Sequence, residues 1–368
     1  MVYRLYIQIT AIIFFAIIII LPAYAETEFT YNGYVAHQYV SFSKNPNSLI
    51  PAADTEFTKL YLDAKYTSDN WTIKLKPELT YNHLGTYTDV TTVNILENYV
   101  SYNTDNLGFS AGKKIMGWGQ SILWSPANII DININPTNGL TQQPGSTLLN
   151  LHLKDKSGNN FDFVYKPKLS VTDPTFNYFT GTAPDAFTFR ISDTVGQNDY
   201  AISFNYLDPY SVVGLEYAST LDNGLVIFSE NIIKQPSQIT LVSLNGFKYD
   251  LSSDINLNME YFYNGDGVMP AQYQQVFLAG NYQFVNLSKN YLFTHLSYAK
   301  MDDKSKYTLM EINNLDDGSG LMRIGYTYDF SSNVNAGIDY NIFYGDKNGE
   351  FGRFPASSAW VFTLKYYL

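Results

Sequence analysis

Long stretches of the chain repeat every two residues. In WTIKLKPELTYN, Trp71, Ile73, Leu75, Pro77, Leu79 and Tyr81 fall on one face of an extended chain, and Thr72, Lys74, Lys76, Glu78, Thr80 and Asn82 fall on the other. Segment FDFVYKPKL sets Phe161, Phe163, Tyr165, Pro167 and Leu169 against Asp162, Val164, Lys166 and Lys168. INLNMEYFY divides Ile255, Leu257, Met259, Tyr261 and Tyr263 from Asn256, Asn258, Glu260 and Phe262. Successive strand side chains point to opposite faces, so this rhythm predicts strands with one apolar and one polar side. Pro77 and Pro167 each remove a ladder donor and belong near strand ends or bulges.

The connections distinguish a barrel from a sandwich. Tight polar turns are expected at 68–70, 104–106, 157–159, Asp208-Pro209, 252–254, 302–306 and 331–333. Between them lie links that are mostly longer: 43–54, 84–92, 117–146, 171–198, 220–238, 265–289, 315–319 and 344–357. Alternating short and long links mark an all-β fold, an antiparallel up-and-down transmembrane β-barrel. The links divide the chain into 16 strands, from 29–42 to 358–368. Two further segments, 186–192 and 225–233, also read as strands; they are loop hairpins, strand extensions, or a pair that makes 18.

Composition agrees with a membrane wall built from strands. Aromatic residues make 16% of the chain and charged residues only 15%, against about 25% charged in soluble domains. After Leu21 no apolar run is long enough for a spanning helix. Arg4, the apolar run Leu5 to Leu21, and Ala23-Tyr24-Ala25 have the layout of a cleavable signal peptide over residues 1–25. Residues 26–368 then form the barrel, in the cell outer membrane of a Gram-negative envelope. Removing Arg4 takes the net charge from −11 to −12, which argues against a nucleic-acid partner. The chain has no cysteine, so disulfides, thiolate metal sites and an N-terminal lipid anchor are excluded.

Trp360, Phe362, Leu364, Tyr366 and Leu368 form an apolar alternation that runs to the last residue. It resembles the terminal strand signal of outer-membrane proteins, which the barrel assembly machinery reads; that signal usually ends in Phe, and here it ends in Leu. Gly112-Lys113-Lys114, Trp118-Gly119 and Asn135-Pro136 resemble a pattern in a widespread family of porin-like outer-membrane barrels, with alginate-export barrels as more distant relatives. Residues 333–368 look similar to the end of that family. The resemblance implies passive transport and names no substrate. Only three residues separate the cleavage point from the first expected strand, so no N-terminal plug of the TonB-dependent kind is expected.

In a barrel this wide, side chains do not fill the lumen unless loops fold inward. The best candidate for such a loop is 117–146, GWGQSILWSPANIIDININPTNGLTQQPGS. Folded inward, Trp118 and Trp124 would be fixed walls, and Asn128, Asp131 and Asn133 would offer hydrogen bonds to a solute. Alternatively, Gly117, Gly119 and Pro126 shape a loop on the rim. The expected lumen face carries Lys59, Lys65, Lys74, Lys76, Glu78, Lys154, Lys166 and Lys168 early, and Glu216, Lys248, Glu260, Glu311, Arg323 and Asp339 later. Such a basic wall facing an acidic one favours polar solutes. The same pattern also suits any solvated strand face. Asp63 and Glu97 are sensitive to a one-residue register shift.

Catalysis is not expected, nor any metal or cofactor. His37, His83, His152 and His295 are far apart. A hydrolase would need His152 or His295 within about 3.2 Å of a Ser, Thr or acid. Asp302-Asp303 and Asp316-Asp317 fit turn chemistry better than Ca²⁺ binding. Two readings remain: a channel for small hydrophilic solutes, or a loop-plugged barrel that acts as a surface binding or structural protein. Expected partners are outer-membrane lipid, the assembly machinery and small polar solutes. The reading also admits a homo-oligomer.

Overall fold

The computed structural model describes residues 27–45, 52–83, 89–131, 143–167, 185–207, 210–235, 239–278, 287–300 and 303–368. These form one closed sheet of 18 antiparallel strands. In chain order they are β1 Thr27–Lys44, β2 Thr55–Ser68, β3 Trp71–His83, β4 Val90–Asn103, β5 Leu107–Lys114, β6 Ser146–Lys154, β7 Asn160–Lys166, β8 Ala186–Val195 and β9 Asn198–Leu207. The circuit continues with β10 Tyr210–Thr220, β11 Val226–Gln235, β12 Thr240–Asp250, β13 Ile255–Asn264, β14 Asn290–Ala299, β15 Ser305–Asn314, β16 Gly320–Asp329, β17 Val334–Tyr344 and β18 Ala356–Tyr367. Each strand pairs with its chain neighbours, and β18 returns to β1 through pairs such as Tyr39–Phe362 and Val40–Val361. No edge is left, which satisfies the rule that a membrane wall must pair its own backbone groups.

The two faces of this wall differ in polarity. Leu149, Leu151, Leu153, Phe163, Phe187, Phe204, Leu215, Phe362 and Leu364 are exposed on the outside. Their chain neighbours Asn150, Asp162, Thr188, Ser203 and Asn205 are buried on the inside. A soluble body would show the reverse, so the outer face is built for hydrocarbon. Outward aromatic pairs, including Tyr200–Tyr217 and Tyr307–Tyr326 with ring centroids 5.3 and 5.0 Å apart, mark the short-turn end of the wall. Among the described residues no helix is long and apolar enough to cross a membrane; the strands cross it.

The strand number settles at 18 because β8 and β11 occupy stretches first assigned to the links 171–198 and 220–238. Each stretch hides a turn whose glycine takes a left-handed conformation, Gly196 (φ 65°) after β8 and Gly224 (φ 80°) before β11. The added β8 reverses the direction expected for β9 Asn198–Leu207, while Asp208-Pro209 lies outside the described residues. At the true short-turn end, Asp69 (φ 45°) supports the two-residue hairpin between β2 and β3.

One charged residue changes face. Met310, Ile312 and Asn314 on β15 are buried inside, so the intervening Glu311 points outward, not into the lumen. There it accepts a hydrogen bond from the Tyr344 hydroxyl at 2.7 Å. Glu97 turns inward because a bulge opposite the Lys76–Pro77 step makes both Leu96 and Glu97 buried; Pro77 sits where the ladder is already broken.

The outer face makes a direct prediction. Leu151→Arg should destabilise the barrel by about 2–4 kcal/mol, the cost of an arginine near the bilayer midplane. The neighbouring inward change His152→Arg should leave the unfolding midpoint near wild type. Urea unfolding in lipid vesicles, followed by tryptophan fluorescence, checks both.

Candidate functional site

The segment after β5 folds into the barrel. Leu123, Trp124 and Ala127 are buried together with inward residues of β10 to β14, among them Val212, Phe228, Ile232, Val242, Leu244, Phe262 and Phe293. Trp124 stacks on Phe262 with ring centroids 4.7 Å apart and planes 14° from parallel. Expected as a wall facing solute, Trp124 is only 3% exposed and anchors the loop instead.

Two buried carboxylates hold the loop's backbone. Glu230 on β11 accepts the Gln120 and Ser121 N–H groups at 2.9 and 3.3 Å, and the Ser125 hydroxyl lies 2.9 Å from its other oxygen. Glu260 on β13 accepts N–H groups from Ile122, and from Leu123 at 3.2 Å. A chain without regular structure leaves N–H groups unpaired, and burying them unpaired is costly. These acids supply the missing acceptors. Gly119 (φ 89°) makes the approach feasible, because a Cβ there would stand 2.5 Å from a Glu230 oxygen. Glu260, expected to line the pore, therefore serves the loop.

The far end of the loop is tied to itself and to the wall. Asp131 accepts the Met116 and Gly117 N–H groups at 3.0 and 2.8 Å and the Asn128 amide at 2.9 Å. Asn128 and Asp131 are thus spent on the loop rather than offered to a solute. Lys166 donates to the Ile130 carbonyl at 3.1 Å, so this lysine also has a positioning task. Asn133, Lys168 and Asn135-Pro136 lie outside the described residues.

Trp118 is only partly buried. The Arg190 guanidinium of β8 sits 5.2 Å from its ring centroid and makes a two-pronged pair with Glu216 at 2.8 and 3.0 Å. Cavities of about 320 and 220 Å³ flank Trp118. Lys114, His152, Asp162 and Arg190 reach the larger one, and Gln120, Arg190 and Glu216 the smaller. Sequence reasoning does not single out Arg190 or Lys114 as site residues, since Arg190 lies in 186–192, a stretch that also reads as a loop hairpin. A larger hollow of about 630 Å³, lined by Phe109, Leu151, Phe163, Phe187 and Phe204, opens on the outer wall and belongs to lipid.

Away from the loop the inner face is charged. Lys59 pairs with Glu78 at 2.9 Å. Lys74 and Lys76 each lie 3.5 Å from Asp63 and also contact Glu97. Arg323 on β16 donates to Asn341 at 2.9 Å, Asp339 is on β17, and Lys365 on β18 lies 5.3 Å from the Tyr34 ring. Lys154 is exposed at the short-turn end of β6. Of the early lysines, Lys59, Lys74 and Lys76 are thus matched by acids on neighbouring strands, so this part of the lining is of mixed charge and not a purely basic wall.

One hydrolase criterion is met. His152 Nδ1 lies 2.9 Å from Asp162. A nucleophile is also needed, and among the described residues no hydroxyl makes a hydrogen bond to the other ring nitrogen. Asp316 and Asp317 accept hydrogen bonds from Ser288, Lys289, Asn290, Ser319 and Glu350. No cluster that could hold a metal occurs among the described residues.

The fold is that of solved porin barrels. OccK5 (OpdH) of Pseudomonas aeruginosa superposes with a TM-score of 0.62 at 11% identity, over 93% of this chain and 98% of that one. A BenF-like porin from Pseudomonas fluorescens Pf-5 gives 0.65 at 11%, over 94% and 100%. OpdK of Pseudomonas aeruginosa, solved with vanillate, gives 0.60 at 8%, over 92% and 98%. Such identities establish the shared architecture. No family model matches the chain, and no curated protein sequence matches it.

Glu260→Leu should strand the Ile122 and Leu123 N–H groups, each costing about 1–3 kcal/mol when buried without a partner. Chymotrypsin is then expected to cut at Trp118 or Trp124 faster than in wild type. Glu260→Gln, which keeps one carbonyl acceptor, should fall between them.

Proposed function

We propose that the protein is a porin-type channel of the outer membrane, passing small hydrophilic solutes between the anchored loop and the charged inner arc. The observation that carries this reading is the unequal lining of the lumen. Residues pressed against the loop on β10 to β14 are mostly apolar, Glu230 and Glu260 being taken up by its backbone. Those on β2 to β4 and on β16 to β18 include Lys59, Asp63, Lys74, Lys76, Glu78, Glu97, Arg323, Asp339 and Lys365. Among the described residues the infolded segment packs toward β10 to β14, charged groups line the other arc, and charged linings favour polar solutes. The porins that share the fold support the same reading, as they support an outer-membrane location.

Residues 1–25 act in this reading as the export signal, and the Trp360 to Leu368 alternation as the mark read by the barrel assembly machinery. The Gly112, Trp118-Gly119 pattern fits kinship with the porin-like family it resembles, since both Gly112 (φ 125°) and Gly119 (φ 89°) adopt backbone conformations that favour glycine. A plugged barrel with a binding or structural role is favoured by one observation: Lys59, Tyr61, Glu78 and Glu97 are all under 10% exposed, so the charged arc is itself well packed.

Conductance separates the two. Purified protein in planar bilayers should insert in discrete current steps, whereas folded protein that inserts without current would support the plug. Lys74→Gln with Lys76→Gln removes two cations and leaves Asp63 and Glu97 unmatched. In a salt gradient the reversal potential should move toward cation preference; an unchanged potential would take this cluster out of the solute path.

A further inference from the structure

The outer wall carries a polar island where hydrocarbon should meet it. Inward residues Phe228, Glu230 and Ile232 of β11, and Val242 and Leu244 of β12, are buried in the lumen. The alternating residues Ser229, Asn231, Ser243 and Asn245 therefore face outward. The register sets Ser229 opposite Asn245 and Asn231 opposite Ser243. Apolar pairs close the island along the strands, Ile227–Phe247 toward the short-turn end and Ile233–Leu241 toward the long-loop end. Leu215 of β10 and Tyr261 of β13, both exposed, border it sideways.

The four side chains form a closed ring. Ser229 donates to the Asn245 carbonyl at 2.9 Å, and Asn245 donates to the Ser243 hydroxyl at 3.2 Å. Ser243 donates to the Asn231 carbonyl at 2.6 Å, and Asn231 donates back to Ser229 at 2.8 Å. Every hydroxyl hydrogen is used. Each amide keeps one N–H, and each amide oxygen keeps one lone pair. Against acyl chains these leftovers stay unpaired, which is unfavourable in a medium that offers no partner. The apolar pairs at either end separate the ring from the strand ends.

We propose that this ring is a docking surface for a second copy of the chain, the two copies facing each other about an axis along the membrane normal. The unspent amides carry donors and acceptors in equal number, so the island complements itself, as a two-fold contact requires. Copies inserted in the same direction hold their rings at the same depth. Polar side chains that hydrogen-bond between neighbours are a recognised adhesive inside membranes, and the exposed Leu215, Ile233 and Leu241 provide an apolar rim around them. The inference requires only the membrane barrel and is independent of whether the lumen conducts.

The chain lacks cysteine, so a single introduced thiol has no other partner. Asn231→Cys, oxidised in intact outer membranes, should give a cross-linked dimer, while Leu364→Cys on the remote β18 face should give none. In mild detergent, light scattering should show a particle of more than one chain, and Asn231→Leu with Asn245→Leu should reduce it to one chain while the barrel keeps its heat-modifiable gel mobility. If that double variant fails to fold, the cross-link decides. An Asn231→Cys protein that stays monomeric on oxidation, or a folded double variant that keeps the wild-type particle mass, would overturn the proposal.

Discussion

The pairing of β18 with β1 is the constraint on which the rest of the structure depends. Backbone groups in hydrocarbon have no solvent to bond to, so a sheet that crosses a bilayer must close. Closure assigns every residue to one of two faces. Apolar side chains are required outside, and whatever remains faces the enclosed space. Eighteen strands make that space too wide for short side chains to fill, and the chain responds by sending the segment after β5 inward.

Anchoring that segment is a problem of unpaired N–H groups, and Glu230 and Glu260 solve it. The apolar neighbours Phe228, Ile232 and Phe262 take up Trp124 and Leu123, while the two carboxylates accept the backbone between Gln120 and Leu123. Charge in the lumen is thereby divided. Some acids and bases position the loop, as Glu260 and Lys166 do. Others, in the Lys59–Glu78 and Asp63–Lys74–Lys76–Glu97 groups, balance one another on the opposite arc. Trp118, held beside Arg190, is where the loop borders the cavities.

Much of the wall was legible from alternation alone. The Trp71 to Tyr81 and Trp360 to Tyr366 faces could be read directly, because a one-residue slip would move every apolar side chain to the wrong side. Strands β8 and β11 were harder to place, since Gly196 and Gly224 lay inside stretches that also resembled long polar loops. Glu311 was misplaced because polarity suggests the lumen, whereas the Tyr344 hydroxyl gives it an outward partner. The site was less legible still. Nothing local reveals that Asn128 and Asp131 bond within their own loop, or that Glu260 meets a backbone more than a hundred residues earlier in the chain. Those contacts depend on tertiary placement.

Accessibility along β3 tests the two-faced wall most directly. Single cysteines at positions 72 to 80 in membrane-inserted protein would be exposed to a charged, membrane-impermeant thiol reagent. The account predicts labelling at Lys74→Cys, Lys76→Cys and Glu78→Cys and protection at Ile73→Cys, Leu75→Cys and Leu79→Cys. Uniform labelling, or protection of both sets, would contradict it.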